Sequence, residues 1–285
     1  MPDEQALFER MDRAEALRGA DAVLCTILAG GVDVWQHDIL IPKKYGVDTN
    51  VGDTRGPSGV FRALRTIPVM LDIVKDMEQY CPNAILLNYT NPMAMLCRAM
   101  QRESFIQLTG LCHSVQGTAR MLARWIGAPD DEITYTCAGI NHQAWLLEIT
   151  DGGRDLYPEI KRRAAEINRK ARAGEIPKHG DMVRLEMMRH FGAFVTESSG
   201  HFSEYLPYFR KRPDLIERFT REGYRGESGF YANSWPRRRR EADATIRAQL
   251  EGGVPIILER STEYASVIVE AMETDSPATI HGNVV

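Results

Sequence analysis

The feature that most constrains the fold of this chain is the alternation of apolar, strand-like runs with helical patterns over residues 21–140. Alternation at this spacing is typical of a mostly parallel sheet with helices on both faces. The sequence therefore predicts an α/β fold in this half. The predicted strands cover 21–28, 84–87, 108–111 and 132–139, and the predicted helices cover 60–77, 92–102 and 115–126.

After Thr150 the pattern changes to charged helices joined by irregular connections, predicted at 157–173, 181–191, 237–249 and 262–272. We therefore expect two domains, residues 1–142 and residues 143–285, the second a mainly helical α+β domain. An arginine run at residues 237–240 could suggest phosphate binding. The acidic neighbours Glu241 and Asp243 favour an ordinary solvated helix face instead.

Composition excludes several classes of function. The net charge is −4 and the pI is about 6.0, so nucleic-acid and anionic-membrane partners are not expected. The acidic N-terminus lacks an apolar signal region, which predicts a cytoplasmic protein. Five cysteines without short paired spacing argue against a disulfide framework. Four of them are expected to be small buried apolar groups: Cys25, Cys81, Cys97 and Cys137.

Polar residues follow the predicted strands, in loops at 28–31, 88–92, 112–113 and 141–142. If all four strands are parallel, these loops meet at one sheet edge, where α/β proteins bind ligands. The thiolate of Cys112 and the imidazole of His142 together suit a borderline transition metal. Asn88 and Asn91 offer amide groups to hydroxyls, although the same Asn-x-x-Asn-Pro pattern also fits a plain turn and helix cap.

Three other polar stretches leave two interpretations open. The glycines of residues 53–59 permit close approach to a ligand or form a bare surface loop. His37 and Asp38 could reach a sugar or could be an ordinary surface pair. The polar–aromatic stretch 196–208 could line a sugar pocket or could be a loop anchored by its aromatic side chains.

Several motifs in order resemble the NAD- and manganese-dependent glycoside hydrolases of family 4, and among them the melibiase-type α-galactosidases. The motifs are Asp53-Thr-x-Gly-Pro-x-Gly59, Arg62-Ala-Leu-Arg-Thr-Ile-Pro68, Asn88-Tyr-Thr-Asn-Pro92, Gly110-Leu-Cys-His-Ser114, Cys137-Ala-Gly-Ile-Asn-His142 and Phe194-Val-Thr-Glu-Ser-Ser199. The resemblance implies a Rossmann-like NAD-binding domain followed by a substrate domain. The opening strand and its glycine-rich turn are missing from the pattern, so we expect both domains to be partial and the chain to be truncated at both ends.

The resemblance also implies the chemistry. Most glycosidases use two carboxylates, and the NAD-dependent family is an exception. Its members hydrolyse glycosides by oxidation, elimination, addition and reduction, with NAD and Mn²⁺ as cofactors. For this chain we expect a small-molecule α-galactoside as substrate, no nucleic-acid or membrane partner, and a homo-oligomer when full length.

The resemblance also implies which residues form the site, from their positions in the motifs. The metal ligands are expected to be Cys112 and His142, the substrate contacts Asn91 and His37, and the cofactor contacts Asn88 and Leu28. His113 stands where some relatives carry an acidic proton donor, and histidine can serve as a general acid. Tyr205 is the candidate base, with His201 and Asp181 as alternatives.

Three other functions remain open or disfavoured. Related enzymes cleave α-glucosides, glucuronides, galacturonides or 6-phosphoglycosides, whereas Cys112-His113-Ser114 favours unphosphorylated α-galactosides. A catalytically dead fragment is the alternative from another class. A hydroxy-acid dehydrogenase would share the fold and cofactor, but those enzymes do not pair a metal-binding cysteine and histidine in this way.

Overall fold

A computed structural model describes residues 12–129, 132–257 and 263–283. The chain forms two compact units that interleave along the sequence. Of the described residues, the first unit comprises 12–29, 61–112 and 263–283, and the second comprises 30–60, 113–129 and 132–257. The predicted domain boundary at residue 142 stays a prediction. Within the described ranges, no helix is both long and apolar enough to cross a membrane.

The first unit contains a four-stranded sheet in the order β1-β2-β3-β8. Its strands are β1 (Ala22–Cys25), β2 (Ile85–Asn88), β3 (Leu108–Leu111) and β8 (Gly282–Asn283). The first three are parallel, and β8 is antiparallel to β3. In this register Cys25 pairs with Asn88, and Asn88 pairs with Gly110. The parallel arrangement of the first three predicted strands is therefore confirmed, and their carboxyl ends share one edge.

Helices α1 (Arg13–Leu17), α3 (Gly56–Tyr80), α4 (Met93–Glu103) and α11 (Tyr264–Thr274) belong to the first unit, although α3 begins in the second. The predicted apolar spacing of α3 is visible in its core contacts. Met70, Val74 and Met77 are almost completely buried, and they pack with Leu86 of β2 and Leu96 of α4. This core fixes the sheet edge at which the polar loops begin.

The second unit is built on an antiparallel sheet of β4 (Ile133–Ile140), β5 (Gln143–Asp151), β6 (Arg154–Asp155) and β7 (Phe194–Val195). The expectation that β4 is a parallel strand is wrong, since Ile140 pairs with Gln143 of β5. Asn141 and His142 therefore form a two-residue hairpin turn. Burial alternates along β4 from Ile133 to Cys137, as expected for an antiparallel strand with one face exposed.

The helices of the second unit are α2 (Gly31–Lys44), α5 (Ser114–Ile126), α6 (Tyr157–Arg172), α7 (Met182–Phe191), α8 (Ser199–Tyr205), α9 (Pro213–Phe219) and α10 (Phe230–Leu250), with a 3₁₀ turn at Gly223–Arg225. Sequence analysis missed α2. Its inward face carries Trp35 and Ile39, and the Trp35 ring packs edge-on against Tyr231 of α10 at 5.5 Å. Gly127 ends α5 in the left-handed conformation that its position predicts.

Two smaller predictions are also confirmed. Arg237 and Arg239 lie on the exposed face of α10 and pair with Glu241 and Asp243, each at 2.8 Å. All five cysteines are free thiols, and Cys25, Cys81 and Cys97 are buried as predicted, whereas Cys137 is half-buried. Burial raises the pKa of both Cys97 and Cys137 to about 11, which is typical of inert thiols.

A pair of glycine substitutions tests the close packing at the start of α3. A Cβ at Gly59 would lie 2.5 Å from the carbonyl oxygen of Thr54, whereas a Cβ at Gly117 in α5 meets nothing within 4 Å. We expect Gly59→Ala to lower the free energy of unfolding by about 1–3 kcal/mol, because backbone must move. Gly117→Ala should raise it by about 0.5–1 kcal/mol. Urea unfolding would measure both, and equal effects would contradict the packing described.

Candidate active site

A buried cluster of two histidines and two carboxylates lies in the second unit. It consists of His142, His201, Asp53 and Glu197, each no more than 6% exposed. His201 is central, since its Nε2 lies 3.1 Å from Asp53 Oδ1 and its Nδ1 lies 3.1 Å from Glu197 Oε1. Glu197 also faces the second ring, with Oε2 at 3.7 Å from His142 Nε2. One carboxylate therefore contacts both imidazoles.

The four groups come from three segments of the chain, which a hairpin turn, a strand pairing and a helix cap position. His142 occupies the turn between β4 and β5. Strand β7 pairs with β5 through Val195 and Trp145, so Glu197, two residues beyond Val195, emerges near that turn. Ser198 caps α8 by accepting a hydrogen bond from the His201 amide, at 3.4 Å.

Thr54 links the loop before α3 to the hairpin turn. Its hydroxyl donates to Asp53 Oδ1 at 2.7 Å and lies 2.9 Å from His142 Nδ1. Because a hydroxyl has one donor and two acceptor positions, a proton on His142 Nδ1 satisfies both contacts. Thr54 thereby fixes the orientation of the His142 ring.

The charges in the cluster stabilise one another. Burial by itself lowers the pKa of His201, but the oxygens of Tyr205 and Glu197 outweigh it and hold that pKa well above its usual value. Burial alone raises the pKa of Glu197, yet His201 and His142 lower it well below its usual range. A protonated His201 beside an ionised Glu197 is the state that these contacts favour.

Tyr205 lies at the end of α8 beside the cluster. Its hydroxyl is 3.5 Å from His142 Nδ1, and the guanidinium of Arg55 lies over its ring at 5.7 Å. Arg55 also donates to the side chain of Gln143, next to the hairpin turn. Burial raises the pKa of Tyr205 well above its usual value, although the charge of His201 opposes this. Tyr205 is therefore a neutral phenol unless another cation approaches it.

The donor set fits a divalent metal ion. One ligand atom from each of Asp53, His142 and His201 lies within 4.8 Å of the others. Imidazoles combined with a carboxylate suit first-row ions such as manganese. The side-chain oxygen of Asn141, beside His142, is buried and has no hydrogen-bond partner in the described ranges. Such an orphaned acceptor is typical of a ligand-binding site.

The other predicted contacts divide between the units. Leu28, Asn88, Asn91 and Cys112 lie in the first unit, at the carboxyl edge of its sheet. The side chain of Asn88 accepts from the Thr90 amide at 3.0 Å and donates to the Thr90 carbonyl at 3.1 Å. It therefore shapes its own loop. The Asn91 side chain likewise accepts from the Met93 amide at 3.3 Å, as the turn interpretation expects. Joint ligation by Cys112 and His142 stays a prediction.

The three remaining candidates lie at exposed or already paired positions in the second unit. His113 is exposed at the start of α5, and His37 is exposed in the middle of α2. Asp181 accepts from Arg184 Nε at 2.8 Å and also lies 3.7 Å from His179. Asp181 is therefore already paired with a buried arginine.

Sequence analysis did not assign roles to Asp53, Thr54 or Glu197. The signal was present, since Asp53 and Thr54 open the motif at residues 53–59 and Glu197 lies in the motif at residues 194–199. A separation of 148 residues hid the contact of Asp53 with His201, which arises only from tertiary packing.

Comparison with known proteins identifies the family. Residues 4–128 match the family 4 glycosyl hydrolases, and residues 137–285 match the C-terminal domain of that family. The chain belongs to glycosyl hydrolase family 4. It is 47% identical over 279 residues to an α-galactosidase of Bacillus subtilis (strain 168), covering 96% of this chain and 61% of the relative. It is 39% identical to an α-galactosidase of Rhizobium meliloti (strain 1021), covering 96% and 56%.

A solved relative agrees with the fold. The crystal structure of a 6-phospho-α-glucosidase from gut microorganisms, in complex with NAD and Mn²⁺, superposes with a TM-score of 0.69. The match has 23% sequence identity and covers 92% of this chain and 59% of that one. The expected α/β fold of this family 4 chain is thereby confirmed. The chain spans about three fifths of the length of the relatives it matches.

Substitution of Glu204 tests how the loop before Asp53 is anchored. Its carboxylate accepts from three successive backbone amides, those of Asn50, Val51 and Gly52, at 2.6, 2.9 and 2.9 Å. In Glu204→Gln an NH₂ group must face at least one of these N–H donors. We expect a loss of about 1.5–3 kcal/mol in the free energy of unfolding. Glu175→Gln, at a solvent-exposed ion pair, should leave the urea midpoint unchanged, and an equally small effect at Glu204 would contradict the anchoring role.

Proposed function

We propose that this chain carries the catalytic residues of an α-galactoside hydrolase that works by oxidation, elimination, addition and reduction. The observation that carries the proposal is the buried set Asp53, His142 and His201 with the Tyr205 hydroxyl 3.5 Å from His142. The likeness to two α-galactosidases supports the sugar assignment. Neither carboxylate of the cluster is free to act alone, since both contact His201.

The proposed cofactors are NAD and Mn²⁺, in agreement with the solved relative. When bound, they would supply hydride transfer and Lewis-acid polarisation of sugar oxygens. We propose His142, Asp53 and His201 as metal-holding residues, with His201 losing its ring proton when the metal binds and with Cys112 added on its motif position alone. For NAD, we propose the carboxyl edge of the sheet in the first unit, because sheets of this kind bind ligands at that edge. Leu28 lies in the loop after β1, and Asn88 ends β2.

The chain's own residues then have distinct tasks. Tyr205 would accept the proton from the carbon acid of the sugar, which requires its high phenol pKa to fall when positive charge binds nearby. His113 would donate a proton to the leaving group. Thr54 would hold the His142 ring by its contact with Nδ1, which leaves Nε2 for the metal. Asn91 and His37 remain the proposed sugar contacts.

An assay with nitrophenyl glycosides tests the function. The chain, with NAD⁺ and Mn²⁺ added, should hydrolyse the α-galactoside faster than the α-glucoside, glucuronide, galacturonide or 6-phosphoglycoside. A different preferred sugar would overturn the sugar assignment but keep the reaction class. Failure on every substrate, with NAD⁺ raising the thermal midpoint of the chain, would favour the inactive fragment. Activity in NAD-free protein would contradict the proposed redox cycle.

Replacement of a metal-holding side chain should weaken or abolish binding of the metal. We expect His142→Ala to abolish manganese binding, measured on the purified chain by electron paramagnetic resonance. Thr54→Val should keep the fold but weaken manganese binding by about 10- to 100-fold, because the ring loses its orienting contact. Thr134→Val, at an exposed threonine of β4, is the matched control and should bind normally. Normal affinity in Thr54→Val would show that the hydroxyl does not orient the ligand.

Tyr205→Phe tests the proposed base. The variant should retain manganese and NAD⁺, yet lower kcat by about 10²- to 10⁴-fold, because the proton loses its acceptor. Exchange of the proton on the second sugar carbon with deuterated water, followed by NMR, should fall in parallel. Tyr208→Phe changes a tyrosine that is 58% exposed and should leave the exchange rate unchanged. Undiminished exchange in Tyr205→Phe would remove Tyr205 from this role.

A further inference from the structure

We propose that a basic pocket in the second unit binds a phosphate group, at a place separate from the candidate active site. The pocket has a volume of about 540 Å³. Residues of α5, of the segment before α7 and of the 3₁₀ turn line it. Its charged side chains are four cations and one carboxylate: Lys178, Arg184, Arg221, Arg225 and Asp181. The proposed hydrolysis uses none of these residues.

The single carboxylate does not cancel the positive charge of the pocket. Asp181 Oδ1 accepts from Arg184 Nε at 2.8 Å and from its Nη2 at 2.5 Å. Arg184 is itself buried, and its remaining nitrogen Nη1 donates to Thr118 at 3.2 Å. This pair is therefore satisfied internally. The charges of Lys178, Arg221 and Arg225 remain without a carboxylate from the pocket wall.

Two guanidinium groups are available for a ligand. Arg221 and Arg225 are exposed, and their side chains have no hydrogen bond or ion pair within the described parts of the chain. The two residues are held together, since the Arg221 amide donates to the Arg225 carbonyl at 3.1 Å. Gly180 permits Arg225 to lie close, because a Cβ there would be 3.0 Å from the Arg225 side chain. Paired guanidiniums match the oxygens of a phosphate bidentately.

His179 adds a neutral donor to the same wall. Its Nδ1 accepts the Asp181 amide proton at 3.1 Å, so in the neutral ring the proton is on Nε2. Burial lowers the pKa of His179, and the charges of Arg184, Arg225 and Arg221 lower it further, against the opposing effect of Asp181. The ring also packs edge-on against Trp125, at 5.3 Å. It therefore offers one N–H donor in a fixed position.

The chemistry of the wall favours a phosphate over a single carboxylate. Two guanidiniums and an imidazole N–H, with the Lys178 ammonium that also donates to the Glu217 carbonyl, provide more donors than a two-oxygen group can accept. A phosphate presents three or four oxygens. The volume also exceeds that of a bare ion, and Trp125 and Tyr224 line the remaining space. An attached sugar ring would fill that space. Free phosphate and a phosphorylated small molecule are thus two sources of the same recognised group.

Calorimetry on the purified chain tests the proposal. Inorganic phosphate and a hexose phosphate are titrated in manganese-free buffer, with sodium chloride holding the ionic strength constant. We expect saturable binding that weakens as salt is raised. The double variant Arg221→Gln with Arg225→Gln should weaken binding at least about tenfold, because it loses charge-assisted hydrogen bonds. Arg237→Gln with Arg239→Gln removes the same charge from the exposed face of α10 and should bind as the parent chain does.

The outcomes separate the pocket from the active site. Tighter binding of the hexose phosphate would support a phosphorylated metabolite as the ligand, and equal binding would support the phosphate ion itself. His142→Ala should leave phosphate binding unchanged, since His142 does not line the pocket. No saturable binding of either probe, equal binding by the Arg221 and Arg225 variant, or loss of binding in His142→Ala would each overturn the proposal.

Discussion

The arrangement of the second unit depends on one buried interaction, the contact of His201 with a carboxylate on each side. Removing ions such as Asp53 and Glu197 from water costs several kcal/mol each unless partners replace the lost hydration. His201 supplies a charge to both, at 3.1 Å. The Thr54 hydroxyl donates a further hydrogen bond to Asp53, and the Ser198 amide donates one to Glu197 at 2.7 Å. Both carboxylates are thus paired before any ligand arrives.

This interaction also explains how residues far apart in the sequence form one site. Asp53, His142 and Glu197 come from a loop, a hairpin turn and a strand end. Each position is fixed separately, by the anchoring of residues 50–52 on Glu204, by the β4–β5 register and by the β5–β7 pairing. A shift in one element would leave a buried carboxylate without its partner, so the elements are held in register together.

Local signals in the sequence predicted the elements that depend on local physics. Strand β3 was predicted to the residue, and all four of its residues are buried. The end of α5 was predicted to the residue because Gly127 ends it. His142 was expected to follow a parallel strand, but it lies in the turn of a hairpin. A short apolar run does not distinguish a parallel strand from one arm of a hairpin. The contact between Asp53 and His201 depends on tertiary packing alone. The cluster could be approached from sequence only through family motifs.

Tyr224 connects the buried cluster to the basic pocket. Its ring lines the pocket, while its hydroxyl lies 2.9 Å from His201 Nδ1 and 3.4 Å from Glu197 Oε1. Burial raises the pKa of Tyr224, so the phenol stays neutral. Its oxygen accepts from the protonated His201 Nδ1, and its hydroxyl donates to Glu197 Oε1. A ligand that moves this ring therefore alters the hydrogen bonds of His201. Tyr224 is thus a side chain shared by the buried cluster and the pocket wall.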